Sequence, residues 1–188
     1  MSENKVQFNL KNVHYAVLTD TAGVITYGTP VAVPGAVTLS LDPQGETKKF
    51  YADGVTYYQA VSNQGYSGDL EMARYPDQML KDIWGFTAGT TSKVMTENST
   101  VEPKAFALLY QIDGDADSQN YVLYNCTGAR PGIGSSTINE SKDPQTQKSS
   151  ISAVPLANGN VMARTTFDTP TATKTGWFTT VFVEASET

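Results

Sequence analysis

The sequence is poor in the residues on which most catalytic and disulfide-bonded sites depend. Its 188 residues include one cysteine and one histidine. The single Cys126 excludes an intrachain disulfide, and since no histidine or basic residue adjoins it, a buried, unreactive thiol is predicted. A Ser/His/Asp triad or a histidine-based zinc site could use only His14. Because its sequence neighbours are packing residues, we predict a structural role for His14.

Clusters of basic residues and long apolar runs are also missing. Lys and Arg number 13 against 19 Asp and Glu, which gives a formal net charge of −6. No basic run offers the counterion release on which tight DNA binding depends. The longest clean apolar stretch, 105–110, is far too short to span a bilayer, and residues 1–10 lack the apolar segment of a signal peptide. We therefore expect a protein that is made in the cytoplasm, does not bind DNA tightly and does not span a membrane.

What the sequence does contain is the periodicity of β-strands. Between Val37 and Asp42 apolar and polar residues strictly alternate, as in a sheet with one buried and one solvated face. Asp53-Gly54 separates two aromatic and β-branched runs within 48–61, which is the strongest short-range signal of a hairpin. A second hairpin is predicted around Asn158-Gly159, between 150–156 and 161–167. Further strands are predicted at 13–19, 24–27, 31–33, 70–75, 105–112, 121–127 and 177–183.

One helix is predicted, over residues 77–86. Met79, Leu80, Ile83 and Trp84 fall near one face at helical spacing, and this face should pack on the sheet. The predicted fold class is therefore mainly β, an antiparallel β-sandwich or barrel-like domain with one flanking α-helix.

The domain organisation follows from the polar segments. Residues 1–12 are interpreted either as a disordered terminus or as an arm that orders on a neighbouring subunit. Residues 13–188 are predicted to form a single β-sandwich domain. Long loops are expected at about 88–104 and 128–149, and loops of this length are commonly functional or ordered by a partner.

An acidic segment has the spacing that opens an EF-hand loop. It places Asp113, Asp115 and Asp117 two residues apart, but the sixth position holds Ser118 where the loop needs Gly, and the twelfth holds Tyr124 where it needs Glu. We therefore predict an acidic hairpin tip, with a weak adventitious cation site as the alternative.

Two other patterns fail for similar reasons. Asp69 and Glu71 could form a carboxylate pair for sugar chemistry, but their spacing better fits one solvated face of a strand. Gly132-Ile133-Gly134 lacks a third glycine and a following helix, so it is not a dinucleotide-binding loop. With no catalytic, metal-binding or cofactor-binding constellation, we do not expect an enzyme.

Much of the chain resembles the major tail proteins of long-tailed bacteriophages of Gram-positive hosts. The resemblance spans nearly the whole chain in matching order. It is carried by KNVHYAVLTD (11–20), YGTPVAVPGAVTLSLDPQGE (27–46), KFYADGVTYYQAVSNQGYSGDLEMA (49–73), FALLYQIDGD (106–115), YVLYNCTGARP (121–131) and GWFTTVFVE (176–184).

This resemblance implies a tail tube fold and a structural, non-enzymatic role in the virion. Relatives assemble as six-membered rings that stack into a hollow tube through which DNA passes without specific binding. The implied partners are further copies of the chain and the length-ruler, terminator and tip or initiator proteins of the tail. The implied location is the virion tail, after assembly in the host cytoplasm.

Candidate subunit and ring contacts are the apolar and aromatic side chains of the N-terminal segment and of the hairpin at 48–61. They are Val6, Phe8, Leu10, Phe50, Tyr51, Tyr57 and Tyr58.

An alternative function is a monomeric β-sandwich binding module for cell-wall glycans or a receptor. Exposed aromatic side chains would make the contacts in such a module. The candidates are Tyr57, Tyr58, Tyr66 and Trp84.

Overall fold

An antiparallel sheet of nine strands dominates the computed structural model, which describes residues 3–137 and 144–184. The strands, in chain order, are β1 Gln7–Thr21, β2 Val24–Tyr27, β3 Val31–Ala32, β4 Ala36–Gln44, β5 Thr47–Ala52, β6 Val55–Val61, β7 Gly65–Met72, β8 Thr87–Ala88, β9 Met95–Thr96, β10 Phe106–Gly114, β11 Gln119–Gly128, β12 Gln147–Ala153 and β13 Met162–Arg164. The helices are α1 Asp77–Trp84 and α2 Thr171–Gly176.

The strand order of the main sheet is β2-β1-β10-β11-β12-β7-β4, with β3 paired to β1 and β13 paired to β11. Two further sheets have two strands each, β5–β6 and β8–β9. This architecture confirms the predicted fold class. Neither helix among the described residues is long and apolar enough to cross a membrane.

The central strands β10 and β11 are buried on both faces of the sheet. Leu108 and Leu123 contribute to one core, and Leu109 and Val122 to another, because successive side chains of a strand point to opposite faces. The first core is shared with β7 and α1. The second is covered by the chain after α2, with Trp177 at its centre.

Helix α1 packs on the first core through side-chain hydrogen bonds as well as apolar contacts. The Trp84 indole Nε1 donates to the carbonyl oxygen of Gly128 at 2.9 Å, and the Tyr15 hydroxyl donates to Asp82 at 2.7 Å. The helix ends earlier than predicted because Gly85 takes the left-handed conformation with φ 68°, a common way to terminate a helix.

Part of the N-terminal segment belongs to the sheet of its own domain. Strand β1 begins at Gln7 and pairs with β10, so that Phe8 lies opposite Asp113 and Leu10 opposite Ile112. The strand therefore crosses the domain boundary placed at residue 12. Its partner lies about a hundred positions away in the sequence, which local periodicity cannot reveal. Register shifts near Asn9 also disrupt the alternation.

The residues before β1 are also bound to the domain. The Asn4 side chain donates to the carbonyl oxygen of Asp117 at 2.7 Å and accepts from the backbone N–H of Ala116 and of Asp117. These bonds attach the segment to the turn between β10 and β11.

Three predictions about strands are corrected. The segments on either side of Asn158-Gly159 form a turn but no strand ladder with each other, and β12 and β13 both pair with β11 instead. The strand expected at 70–75 is β7, which starts at Gly65 and ends at Met72. The strand expected at 177–183 is absent from the described residues. There the Trp177 indole donates to the carbonyl oxygen of Tyr121 at 3.2 Å, and burial of its ring outweighs β-propensity.

Candidate assembly surface

The largest group of exposed apolar side chains in the described chain lies on the hairpin of β5 and β6, hereafter the arm (residues 47–61). Its turn residues Asp53 and Gly54 have φ angles of 53° and 75°, as in a type I′ turn. Ala52 and Val55 pair across it. The hairpin predicted from Asp53-Gly54 is thus confirmed.

Both faces of the arm are open to solvent. Phe50, Tyr51, Tyr57 and Tyr58 are between 61% and 74% exposed, and every arm residue is exposed except the half-buried Ala52 and Ala60. An isolated two-stranded hairpin is marginally stable in water. Exposed aromatic side chains concentrated on such an element therefore indicate a surface that another molecule covers.

The arm continues the ribbon formed by β4 and β7. At its root the backbone N–H of Gln64 donates to the carbonyl oxygen of Gln44 at 2.8 Å, and that of Ser62 donates to Glu46 at 2.9 Å. At a rise of about 3.4 Å per residue, the six residues of β5 project roughly 20 Å. The arm therefore projects from the edge of the main sheet.

The contact residues predicted in the N-terminal segment fall into two groups. Val6 and Phe8 are more than half exposed. Leu10 is half-buried and packs against the first core, so it contributes to folding and offers little surface. A row of paired residues crosses the sheet from Phe106 in β10, through β11, β12 and β7, to Pro43 in β4. The start of β1 and the arm both lie on the same side of this row, so they are at the same end of the sheet.

Acidic side chains of the predicted hairpin tip, near these residues, are paired with donor groups of the protein itself. Lys11 Nζ lies 2.7 Å from Asp113 Oδ1. This ammonium group, with hydrogen bonds from Ser118 and Asn9, lowers the pKa of Asp113 to about 2. Asp115 accepts from the backbone N–H of Lys5 at 2.8 Å. These carboxylates bind the protein's own donors, and no group of three or more metal-ligating side chains is found among the described residues.

The residues considered for catalysis occupy structural positions. The His14 ring packs on Phe178 at 4.8 Å between centroids, and its Nδ1 lies 2.9 Å from the carbonyl oxygen of Asn12. Cys126 is buried, as predicted, and burial raises the pKa of its thiol to about 12. A thiol so protonated is a poor nucleophile at neutral pH.

The carboxylates of β7 are on the face opposite its buried Leu70, as predicted for a solvated face. Asp69 accepts hydrogen bonds from Lys148 at 2.9 Å and from Ser150 at 2.8 Å. The bonds from Lys148 and Ser150 lower the pKa of Asp69. This arrangement is a cross-strand ion pair.

The fold buries, wholly or in part, two of the four aromatic residues proposed for glycan recognition. Trp84 is only 3% exposed and belongs to the first core, so it cannot stack on a sugar. Tyr66 is half-buried against the same core. Tyr57 and Tyr58 remain exposed, and both lie on the arm.

The sequence analysis gave no role to the most exposed of the large apolar side chains in the described residues. Ile133, in the loop after β11, is 96% exposed. Only its position between two glycines could have indicated this exposure.

A scan against protein-family models gives no match, and a search of curated proteins finds no significant relative.

Proposed function

We propose that this chain is a structural protein that polymerises into stacked, six-membered rings and forms the hollow tail tube of a bacteriophage. The observation that carries the proposal is the arm, an aromatic ribbon exposed on both faces. Such a ribbon gains stability when another chain covers it. The sequence resemblance supplies the type of assembly.

The edges of the main sheet support lateral association. Within the described residues, β4 pairs with β7 alone and β2 pairs with β1 alone. Unpaired N–H and C=O groups on an edge are ready to pair with another chain. Because β4 and β2 are different surfaces, contacts between them are head-to-tail, and a head-to-tail contact can close into a ring.

The charge of the chain suits a conduit for DNA. Six copies at −6 each carry roughly −36 per ring, a field that repels phosphate groups and keeps contacts with the passing DNA weak. DNA would pass without specific binding. Further tail proteins, a length ruler, a terminator and a tip initiator, would set where polymerisation begins and ends.

The first test is negative-stain electron microscopy and light scattering on one concentrated sample. Stacked rings or hollow tubes are expected. A protein that stays monomeric at every concentration, with no ring in any field, would contradict the proposal. The double variant Phe50→Ser/Tyr58→Ser should lose assembly, and the control Val183→Ser, at an exposed position outside the arm and the edge strands, should keep it.

The same exposed tyrosines would also serve a monomeric glycan-binding module. The burial of Trp84 and the partial burial of Tyr66 leave that alternative with two of its four aromatic residues. A screen against cell-wall glycans separates the two functions, because binding by a stable monomer supports the module and assembly without binding supports the tube.

A further inference from the structure

A groove of about 310 Å³ lies at the far end of β7 from the arm, between α1 and the loop that follows β11. Half of its lining residues are apolar or aromatic, and the other half are two arginines, two carboxylates and a glutamine. The residues used below are Leu80, Phe86, Pro131, Ile133, Arg74 and Arg130.

The groove and the arm are at opposite ends of one two-stranded ribbon. Gly65 pairs with Gln44 at the arm end, and Met72 pairs with Ala36 at the groove end. The seven-residue separation corresponds to about 23 Å along the strand. The arm extends away from this ribbon for roughly 20 Å more. One chain therefore cannot place its own arm in its own groove.

We propose that the arm of one copy docks in this groove of the next copy. The inference rests on the proposed function and names the receiving surface. The docking axis follows the β4–β7 ribbon, so each copy presents an arm at one end and a groove at the other. Such a heterologous contact repeats without closing, which suits the stacking of one ring on the next.

The chemistry of the two surfaces is complementary. Arg74 and Arg130 pair with Asp77 and Glu97 in exposed ion pairs, which contribute little to stability. Their guanidinium groups are thus able to stack on the arm's tyrosine rings. The exposed Ile133 gains from any aromatic cover. Tyr and Arg are among the residue types that contribute most to binding energy in interfaces.

The size of the contact predicts how it behaves. Four aromatic side chains that are 61–74% exposed offer roughly 400–650 Å² of surface. A stable pairwise interface buries about 800 Å² per partner. A single arm in a single groove is therefore weak, while several arms between two rings act together through a high effective concentration.

Disulfide trapping tests the contact directly. Tyr58→Cys in one preparation and Ile133→Cys in another are mixed at high concentration under mild oxidation. We expect a mixed disulfide dimer several-fold more abundant than in the control mixture of Tyr58→Cys with Val183→Cys, whose exposed position lies outside the arm, the groove and the edge strands. The native Cys126 is buried, so it adds little background. Equal trapping in the two mixtures would overturn the inference.

Complementation tests the directionality. The arm variant Phe50→Ser/Tyr58→Ser keeps its groove, and the groove variant Ile133→Asp keeps its arm. Neither is expected to form chains alone, whereas an equal mixture at the high protein concentration used for trapping should give weakly associated dimers that stop growing. All three positions are exposed, and circular dichroism confirms that both variants fold. A mixture that remains monomeric would overturn the inference.

The outcomes separate this inference from the proposed function. Hollow tubes with no trapping between positions 58 and 133 would refute the arm-to-groove contact and leave the tube in place. Trapped dimers joined between positions 58 and 133, with no ring or tube of the wild type under the microscope, would support the contact and contradict the tail tube.

Discussion

Phe50 and Tyr58 lie directly opposite each other across the hairpin of the arm, and both are more than 60% exposed. A cross-strand aromatic pair stabilises its hairpin by about 0.2–1 kcal/mol, which is small against the apolar surface it leaves in water. The pair is therefore better understood as part of a contact surface than as part of a core. This relationship motivates the first prediction.

Replacing both residues, in Phe50→Ser/Tyr58→Ser, should abolish assembly and change folding stability little. Exposed substitutions commonly alter the free energy of unfolding by no more than about 0.5 kcal/mol. Light scattering measures assembly and urea denaturation measures stability, with Val183→Ser as the matched control at an exposed position outside the proposed contacts. A variant that assembles like the wild type would show that the arm is not a contact surface.

The arm shows which parts of this fold can be predicted from sequence. Its turn and strands are local, so Asp53-Gly54 and the flanking aromatic runs sufficed. The spacing that predicted α1 is local too. The pairing of Gln7 with Gly114 is not, and register between distant strands has no local signature. The groove was unpredictable for the same reason, since α1, the loop with Pro131 and the start of β12 meet only in three dimensions.

The C-terminal segment shows how burial can outweigh propensity. The residues from Trp177 to Val183 read as a strand, because they are aromatic and β-branched. In the structure the Trp177 ring stacks on Phe182 at 5.2 Å between centroids and covers Leu109 and Val122. An open sheet face needs an apolar cover, and side chains in an irregular segment supply it.

Truncating this cover should destabilise the protein substantially. For Trp177→Ala we expect a loss of about 3–5 kcal/mol, the range for removing a large buried aromatic side chain. The hydrogen bond from its indole to Tyr121 is lost as well. Urea denaturation followed by circular dichroism measures the effect. Val183→Ala, at an exposed position of the same segment, is the control and should be nearly neutral. Equal effects would mean that the segment does not cover a core.

Acid should weaken the attachment of β1 to the end of β10. The pKa of Asp113 in the folded protein is about 2, below the value of about 3.9 for an unfolded chain. A depressed folded pKa gives a stabilisation that is present above the unfolded pKa and lost as pH falls from about 4 to about 2. Asp113→Asn should therefore show a flatter decline of stability across that window.

The measurement for this prediction is urea denaturation between pH 6 and pH 2. Asp42→Asn, at an exposed carboxylate on β4, is the matched control and should follow the wild type. If Asp113→Asn loses stability as steeply as the wild type between pH 4 and pH 2, the ion pair with Lys11 does not contribute to acid sensitivity.

The root of the arm depends on one glycine. A Cβ atom added at Gly45 would lie 2.0 Å from the backbone carbonyl oxygen of Ser62, a distance that forces the two strands apart. We expect Gly45→Ala to loosen the arm while the main sheet stays folded, because the clash lies outside the buried cores. Limited trypsin digestion measures this, since Lys48 and Lys49 follow closely in β5. Gly134→Ala, where an added Cβ meets nothing within 4 Å, is the control and should resist cleavage like the wild type.

Unchanged cleavage in Gly45→Ala would mean that the arm is held by its own strand pairing and needs no defined root. Faster cleavage together with lost assembly would show that the arm's orientation, and not only its side chains, determines the contact.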